Sequence, residues 1–290
     1  MAPPATVGAA LGAGEDVLRA AGVDSPEADS RVLLSHVLGC KLNDVLLRSS
    51  QELTASDERC WSHLLSLRAS RMPLQYVVGS AVFCGLNLRC DRRALIPRQE
   101  TELLAEAVAE RLRQLAPPPG SIVVDVGCGC GAIALALAHW LPEMCVLASD
   151  ISPGALGLAT ENARLLGLAG RVRFAAGPYL QPVFDLGLAD RVVAVVNNPP
   201  YVKPDEMPLL DPETLAEPRE AVQSSSEDGL EEYRVLARQA ALLPHLRLLG
   251  VEVGYGQAKG VRRVLAPLGE AQTILDYCDI ERHVIVDVPG

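Results

Sequence analysis

The stretch Asn198-Pro199-Pro200-Tyr201 has residue types and spacing that could carry out chemistry. Proline has no backbone N–H, so the Pro-Pro pair removes two donors and leaves carbonyl oxygens free to accept hydrogen bonds from a substrate. Because a residue before proline favours an extended backbone, Asn198 should leave the strand predicted over 191–196 with its side chain pointing beyond the strand's end. Tyr201 offers a ring face for stacking. The tetrapeptide suits a planar amide or amine nitrogen; the alternative is an ordinary turn.

A glycine-rich loop, Gly127-Cys128-Gly129-Cys130-Gly131, lies between a strand predicted over 121–126 and a helix predicted over 132–141. Its glycines allow a tight turn and the close approach of a ligand to the backbone. Asp150 follows the next predicted strand, 145–149, where a carboxylate can accept hydrogen bonds from ribose hydroxyls. The loop alone does not separate a dinucleotide site from a site for another adenosine compound. The plainer interpretations are a strand-helix turn for the glycines and a cap or surface acid for Asp150.

The tetrapeptide separates these two adenosine interpretations, because a hydride-transferring enzyme has no need of Asn-Pro-Pro-Tyr at the end of a later strand. A methyltransferase does need such a site. Three strand ends are then expected to meet at one crevice. The glycines would serve the amino acid part of the cofactor, Asp150 its ribose, and the segment 198–201 the group that receives the methyl.

The composition sets broad limits on function. Apolar residues make up 49% of the 290 residues, yet no run approaches the roughly 18 apolar residues of a membrane span. The formal charge of −10 argues against a protein whose main role is to bind nucleic acid directly. The segment 1–6 lacks the basic flank of a secretory signal, so we expect a cytoplasmic protein that works as a monomer, with an organellar form left open.

Cysteine and histidine residues are scattered along the chain. The eight cysteines form no C-x-x-C pair and the five histidines are equally dispersed. These spacings predict no metal site, no disulfide framework and no Ser-His-Asp triad. We interpret the cysteines as reduced and mostly buried thiols.

The predicted elements divide the chain into three parts. Residues 1–74 have helical spacing, with start signals at Ser25-Pro26 and at 54–57, and predict a small helical bundle. Residues 75–97 predict a β-hairpin linker, with strands over 75–79 and 81–88. Residues 98–290 alternate helix and strand, which predicts an α/β domain with a mostly parallel, Rossmann-like sheet.

Further strands are predicted over 172–175, 248–253 and 283–288, and further helices over 102–115 and 153–166. The segment 201–230 is rich in Pro, Asp, Glu and Ser. A segment of that length is expected to be either a disordered connection or a lid over a site.

Beyond these two motifs, several other segments resemble the HemK/PrmC family of S-adenosylmethionine-dependent methyltransferases, which modify the glutamine of the Gly-Gly-Gln motif in peptide chain release factors. The similar segments are Arg71–Gly79, Phe83-Cys84-Gly85, Ile96–Glu102, Glu217-Pro218, Asp228-Gly229-Leu230 and Val251–Gly254. The Ile-Pro-Arg-x-Glu-Thr-Glu pattern favours release factor enzymes over relatives that act on ribosomal proteins. The resemblance implies a class I methyltransferase domain and an N-terminal domain that helps to recognise the protein substrate.

The resemblance also implies roles for particular residues. The loop 127–131 and Asp150 would bind S-adenosylmethionine, and Tyr179 would lie beside its adenine. Asn198, next to the cofactor, would bind the glutamine amide together with the Pro199 carbonyl, while Tyr201 would pack over it. Pro178 departs from the family, which commonly has Asp there, and this departure predicts a weakened or rearranged adenine contact.

Other functions remain open from sequence alone. A ribosomal-protein glutamine methyltransferase shares the architecture. An adenine-N6 DNA methyltransferase could use the same tetrapeptide, although it must also hold DNA and flip a base. A decayed methyltransferase that serves as a binding scaffold is the non-enzymatic alternative, and a nicotinamide dehydrogenase would leave the Pro-Pro pair unexplained.

Overall fold

The computed structural model of the chain describes residues 5–289. Met1–Pro4 and Gly290 lie outside the described residues, and with them most of the N-terminal segment used to predict the compartment. The chain forms two compact units. The first comprises Met1–Gly79 together with Asp211–Ala216, and the second comprises Ser80–Leu210 and Glu217–Gly290.

The first unit is helical. Its helices are α1 (Val7–Ala20), α2 (Pro26–Leu38), α3 (Asp44–Leu47), α4 (Ala55–Ala69) and α5 (Leu74–Val78). At the start of α4, the Thr54 side chain accepts the Asp57 N–H and the Asp57 side chain accepts the Thr54 N–H, a reciprocal capping box. The segment Asp211–Ala216 contains the short helix Pro212–Leu215 and belongs to this unit.

The strand predicted over 75–79 is wrong, because these residues form most of helix α5. Helical spacing brings Leu74, Val77 and Val78 against the apolar core of the first unit, and the Pro73 carbonyl accepts the Val77 N–H. Gly79 ends the helix in a left-handed conformation. The β-branched residues of 75–79 favoured a strand, and the segment was too short for its helical spacing to be recognised.

The second unit begins with the antiparallel hairpin β1 (Ser80–Phe83) and β2 (Leu86–Arg89). Helices and strands then alternate. They are α6 (Gln99–Leu115), β3 (Ile122–Val126), α7 (Ala132–Trp140), β4 (Cys145–Asp150), α8 (Pro153–Leu165), β5 (Val172–Ala176), α9 (Gln181–Asp185) and β6 (Val192–Asn197). After α10 (Pro212–Leu215) come α11 (Arg219–Val222), α12 (Glu231–Ala240), β7 (Leu248–Glu252), α13 (Ala258–Leu265), β8 (Glu270–Leu275) and β9 (Glu281–Asp287).

The main sheet has seven strands in the order β5-β4-β3-β6-β7-β9-β8. The first five strands are parallel, whereas β9 pairs antiparallel with both β7 and β8. Successive side chains of β3 enter different cores: Val123 packs into one apolar cluster and Val124 into the other. Both faces of the sheet are therefore covered, and the predicted mostly parallel α/β fold is confirmed.

The order of the strands places the site. The chain leaves β3 for β4 on one side and later returns to β6 on the other side of β3. In open α/β sheets, ligands bind where the strand order reverses in this way, beyond the carboxyl ends of the strands. The glycine loop, Asp150 and Asn198 all lie at these ends.

Candidate active site

A cavity of about 610 Å³ opens beyond the carboxyl ends of β3, β4 and β6. Its volume lies within the range of about 300 to 1,000 Å³ that small-molecule sites occupy. Seven of the residues predicted for the site line this cavity: Gly127, Gly129, Asp150, Tyr179, Asn198, Pro199 and Pro200. Four others, Cys128, Cys130, Gly131 and Tyr201, do not.

The glycine loop uses backbone conformations that favour glycine. Gly127, Gly129 and Gly131 have φ values of 65°, 55° and 86°. Gly131 serves packing: a Cβ there would lie 3.1 Å from the Cβ of Ala159 on α8. The intervening Cys128 is buried, and its burial raises the pKa of the thiol well above its ordinary value. The first two glycines therefore approach the cavity, while the rest of the loop packs behind it.

Asp150 is fixed at the end of β4 by backbone donors. Its Oδ2 accepts the Gly129 N–H at 2.9 Å and its Oδ1 accepts the Ser152 N–H at 2.8 Å. Each carboxylate oxygen can accept more than one hydrogen bond, so Asp150 keeps acceptor capacity toward the cavity. The side chain is thus both a brace for the glycine loop and an acceptor for a hydroxyl-bearing ligand.

Asn198 follows β6 and is partly buried. Its Nδ2 donates to the Thr101 hydroxyl at 3.2 Å. Within residues 5–289, no group donates to its Oδ1 or to the Pro199 carbonyl. The preceding Asn197 donates to the Val126 carbonyl at 2.7 Å and so ties the end of β6 to the end of β3. Asn198 and Pro199, which both line the cavity, therefore each have an acceptor that receives no hydrogen bond from residues 5–289.

Tyr201 lies apart from the other predicted residues. Its hydroxyl is 3.3 Å from Oε1 of Glu252, and its ring packs against the apolar cluster on one face of the sheet. Burial and the neighbouring Glu252 raise the pKa of its phenol above the ordinary value. The structure does not bring its ring to the cavity wall beside Asn198.

Tyr179 lines the cavity next to Pro178. Its backbone is left-handed, with a φ of 49°, and its carbonyl accepts the Ser149 hydroxyl at 3.0 Å. The partly buried ring is held at the end of β5, on the far side of Asp150 from the tetrapeptide. Pro178 does not displace it from the wall.

Sequence reasoning missed two parts of the wall. One is Arg93-Ala94-Leu95, inside the predicted linker, and the other is Pro218–Ala221 and Gln223–Ser225 with Glu232. Glu232 accepts the Ser224 hydroxyl and the Ser225 N–H, each at 2.7 Å. The segment 201–230, which was expected to be either a disordered connection or a lid over a site, is ordered, and part of it lines the cavity. The similar segment Glu217-Pro218 was the available signal.

The cavity fits S-adenosylmethionine. Two glycines give close backbone access, Asp150 offers acceptors for ribose hydroxyls, and Tyr179 gives an aromatic surface for adenine. Within the described part of the chain, no group of three His, Cys, Asp or Glu side chains could hold a metal ion. No helix among residues 5–289 has the length and apolar character needed to cross a membrane.

Solved structures share this fold. The catalytic domain of hMettl16 in complex with a MAT2A 3′UTR hairpin matches with a TM-score of 0.56 at 14% identity, covering 78% of this chain and 82% of that one. The N-terminal domain of human METTL16 in complex with SAH matches with a TM-score of 0.52 at 12% identity, covering 89% and 95%. These two matches show the class I methyltransferase fold, and the match of residues 99–223 to the methyltransferase small domain, together with the cavity, defines an S-adenosylmethionine-dependent methyltransferase.

The family follows from sequence similarity. Residues 9–79 match the PrmC N-terminal domain and residues 99–223 match the methyltransferase small domain. The release factor glutamine methyltransferase of Moorella thermoacetica is 40% identical over 96% of both chains. That of Deinococcus radiodurans is 42% identical over 77% of both chains. The chain belongs to the release factor glutamine methyltransferase family.

Proposed function

We propose that this chain transfers a methyl group from S-adenosylmethionine to the side-chain amide nitrogen, N5, of the glutamine in the Gly-Gly-Gln motif of a peptide chain release factor. The observation that carries the proposal is the pair of donor-free acceptors on the cavity wall, the Asn198 Oδ1 and the Pro199 carbonyl. A primary amide has two N–H donors on one nitrogen. The similarity to release factor glutamine methyltransferases along nearly the whole chain supports the same substrate.

The chemical difficulty lies in the nucleophile, because the lone pair of an amide nitrogen is delocalised into its carbonyl. When bound, S-adenosylmethionine supplies a methyl group activated by a positively charged sulfur. The task of the protein is to hold the amide nitrogen so that its lone pair can reach that methyl group.

Asn198 and Pro199 can perform this task. As the nitrogen takes the methyl, it becomes positive and its N–H groups become stronger donors. Hydrogen bonds to the Asn198 oxygen and the Pro199 carbonyl then gain strength in the transition state relative to the ground state. The removal of one such preorganised hydrogen bond costs about 2.7 to 4 kcal/mol in the transition state. The added methyl makes an N–H acidic, so no strong general base is needed.

Further parts of the proposal concern the partner and the setting. The release factor is the protein partner, and we propose that the first unit helps to recognise it. The chain is proposed to act as a monomer in the cytoplasm, without membrane or direct nucleic acid contact. We propose that Tyr201 supports the tetrapeptide through the hydrogen bond that its hydroxyl donates to Glu252.

The test is to incubate the protein with methyl-labelled S-adenosylmethionine and a purified release factor, and to locate the label by peptide mass spectrometry. A release factor whose Gly-Gly-Gln glutamine is replaced by alanine is the matched control. Label on the glutamine side chain, absent from the control, is the expected result.

Other results would contradict the proposal. Label at a different residue would assign another site. Cofactor binding without any label on the release factor would direct attention to a ribosomal protein or DNA as substrate. Failure to bind the cofactor would favour the decayed scaffold.

A further inference from the structure

A chain of buried hydrogen bonds leads away from the cavity behind Asn198. The Asn198 Nδ2 donates to the Thr101 hydroxyl oxygen at 3.2 Å, and the Thr101 hydroxyl donates to Oε2 of Glu252 at 2.5 Å. Thr101 is 4% exposed and Glu252 is 2% exposed. Neither of these two residues lines the cavity. Thr101 and Glu252 can therefore influence methyl transfer through Asn198, without touching the substrate themselves.

The direction of these hydrogen bonds is fixed by chemistry. An ionised carboxylate only accepts hydrogen bonds, so the single hydroxyl proton of Thr101 must point to Glu252. The hydroxyl oxygen is then left to accept, and the group that meets it must be a donor. Asn198 satisfies this demand only with its NH₂ turned toward Thr101, which leaves its Oδ1 free on the other side.

Both the side chain and the backbone carbonyl of Glu252 accept further hydrogen bonds. It is the last residue of the interior strand β7. The Tyr201 hydroxyl donates to its Oε1 at 3.3 Å, and the Tyr233 hydroxyl donates to its backbone carbonyl at 2.9 Å. Thr101 lies in the first turn of α6, so both members of the chain stand on regular elements. Such a support can hold a side-chain amide in one orientation.

We propose that Thr101 and Glu252 are positioning residues that set the orientation of the Asn198 amide, so that an acceptor and not a donor faces the substrate nitrogen. The proposal rests on the function proposed above. Without the hydroxyl, the Asn198 amide can turn by half a rotation and present NH₂ to the N–H groups of the glutamine. In that orientation, N–H donors of Asn198 and of the glutamine face each other. No hydrogen bond can then hold the substrate nitrogen for methyl transfer.

The test is a set of variants assayed with a release factor and S-adenosylmethionine, both at saturation. Thr101→Val keeps the shape of the side chain but removes the hydroxyl, and Thr101→Ser restores it. Thr160→Val on α8 is the matched control, because the Thr160 hydroxyl donates to the Leu156 carbonyl within its own helix. Burial raises the pKa of Glu252 to about 7, so the assay is run at pH 8, where this carboxylate is ionised.

We expect Thr101→Val to lower kcat at least about tenfold, while the Kd for S-adenosylmethionine and the KM for the release factor change less than about twofold. Thr101→Ser recovers most of the loss, and Thr160→Val does not reduce kcat. Melting temperatures establish that each variant is folded at the assay temperature. Should Thr101→Val fail to fold, Glu252→Leu replaces it, with the same expected loss of kcat.

The results separate this proposal from the proposed function. If the wild-type protein methylates the release factor and the folded Thr101→Val or Glu252→Leu variant keeps its kcat within about twofold, the positioning role is wrong. A loss of kcat that Thr101→Ser does not recover would also contradict it. If the wild-type protein places no label on the release factor, the proposed function fails, and the positioning role fails with it.

Discussion

Replacing Asn198 by alanine removes one of the two acceptors proposed for the substrate amide and leaves the rest of the cavity in place. Asn198→Ala is expected to lower kcat by two to three orders of magnitude. S-adenosylmethionine binding should be close to normal, because the glycine loop, Asp150 and Tyr179 are untouched. The variant therefore separates the methyl-accepting part of the site from the cofactor part.

The magnitude follows from what the side chain contacts. The removal of a single preorganised hydrogen bond to a charge that develops in the transition state costs about 2.7 to 4 kcal/mol, or a factor of about 10² to 10³ in rate. The loss in folding stability is smaller. Asn198 makes one hydrogen bond with Thr101, at 3.2 Å, and such a bond contributes about 0.5 to 1.5 kcal/mol. The variant should remain folded.

The assay measures single-turnover transfer of a labelled methyl group to the release factor, beside calorimetric titration with S-adenosylmethionine. Asn87→Ala is a matched control, since Asn87 is exposed on β2 and does not line the cavity. Turnover of Asn198→Ala within about tenfold of the wild type would refute the role assigned to its oxygen. An equal loss of cofactor affinity would show that the residue acts on binding and not on transfer.

Three further predictions concern carboxylates. Asp150→Ala should weaken S-adenosylmethionine binding by at least about tenfold, because it removes a ligand acceptor and the acceptor of the Gly129 N–H; calorimetry showing an unchanged Kd would remove the residue from the site. Burial raises the pKa of Asp125 to about 8 and that of Glu252 to about 7, so the folded state binds more protons than the unfolded chain above pH 4. Below pH 6.5, His283 opposes this trend, because burial lowers its pKa to about 4. The free energy of unfolding should therefore fall between pH 6.5 and 8 in denaturant titrations, and Asp125→Asn should make that fall shallower; an identical slope would contradict the assignment. Glu213→Gln should lower the stability of the first unit by about 2 kcal/mol, because Arg71 loses its ionised partner and Arg68 keeps only Asp29, and a thermal unfolding midpoint equal to that of the wild type would count against it.

Much of the second unit could be predicted because its elements carry strong local signals. Helix α8 begins at Pro153 with the Ser152 side chain accepting the Ala155 N–H, as the sequence indicated. Strand β3 is buried along its whole length and is apolar except for Asp125. Strand β8 gave no such signal: it is the edge strand of the sheet, partly exposed, and its sequence Glu-Ala-Gln-Thr-Ile-Leu lacks a regular apolar pattern.

The site was predictable to the same extent. Gly127 and Asn198 follow strands directly and Asp150 is the last residue of one, so the sheet itself brings them together. The sequence could not place the segment that begins at Pro218 in the cavity wall. This segment reaches the cavity because Val202 pairs with Gln223 across an irregular stretch of chain. Local pattern also could not decide the direction of the Tyr201 ring, which depends on Glu252 far along the chain.

The segment Asp211–Ala216 limits how the chain can be divided into fragments. Its Glu213 is held by Arg68 and Arg71 of the first unit, at 2.7 Å and 2.6 Å, while the residues that follow from Pro218 line the cavity of the second. Cleavage of the chain at one position therefore cannot separate the two complete units. A fragment that starts at Ser80 would carry this segment without its arginines, and an N-terminal unit borrowed from a relative would have to bring them. Exchange of one unit alone would have to preserve the ion pairs of Glu213 with Arg68 and Arg71.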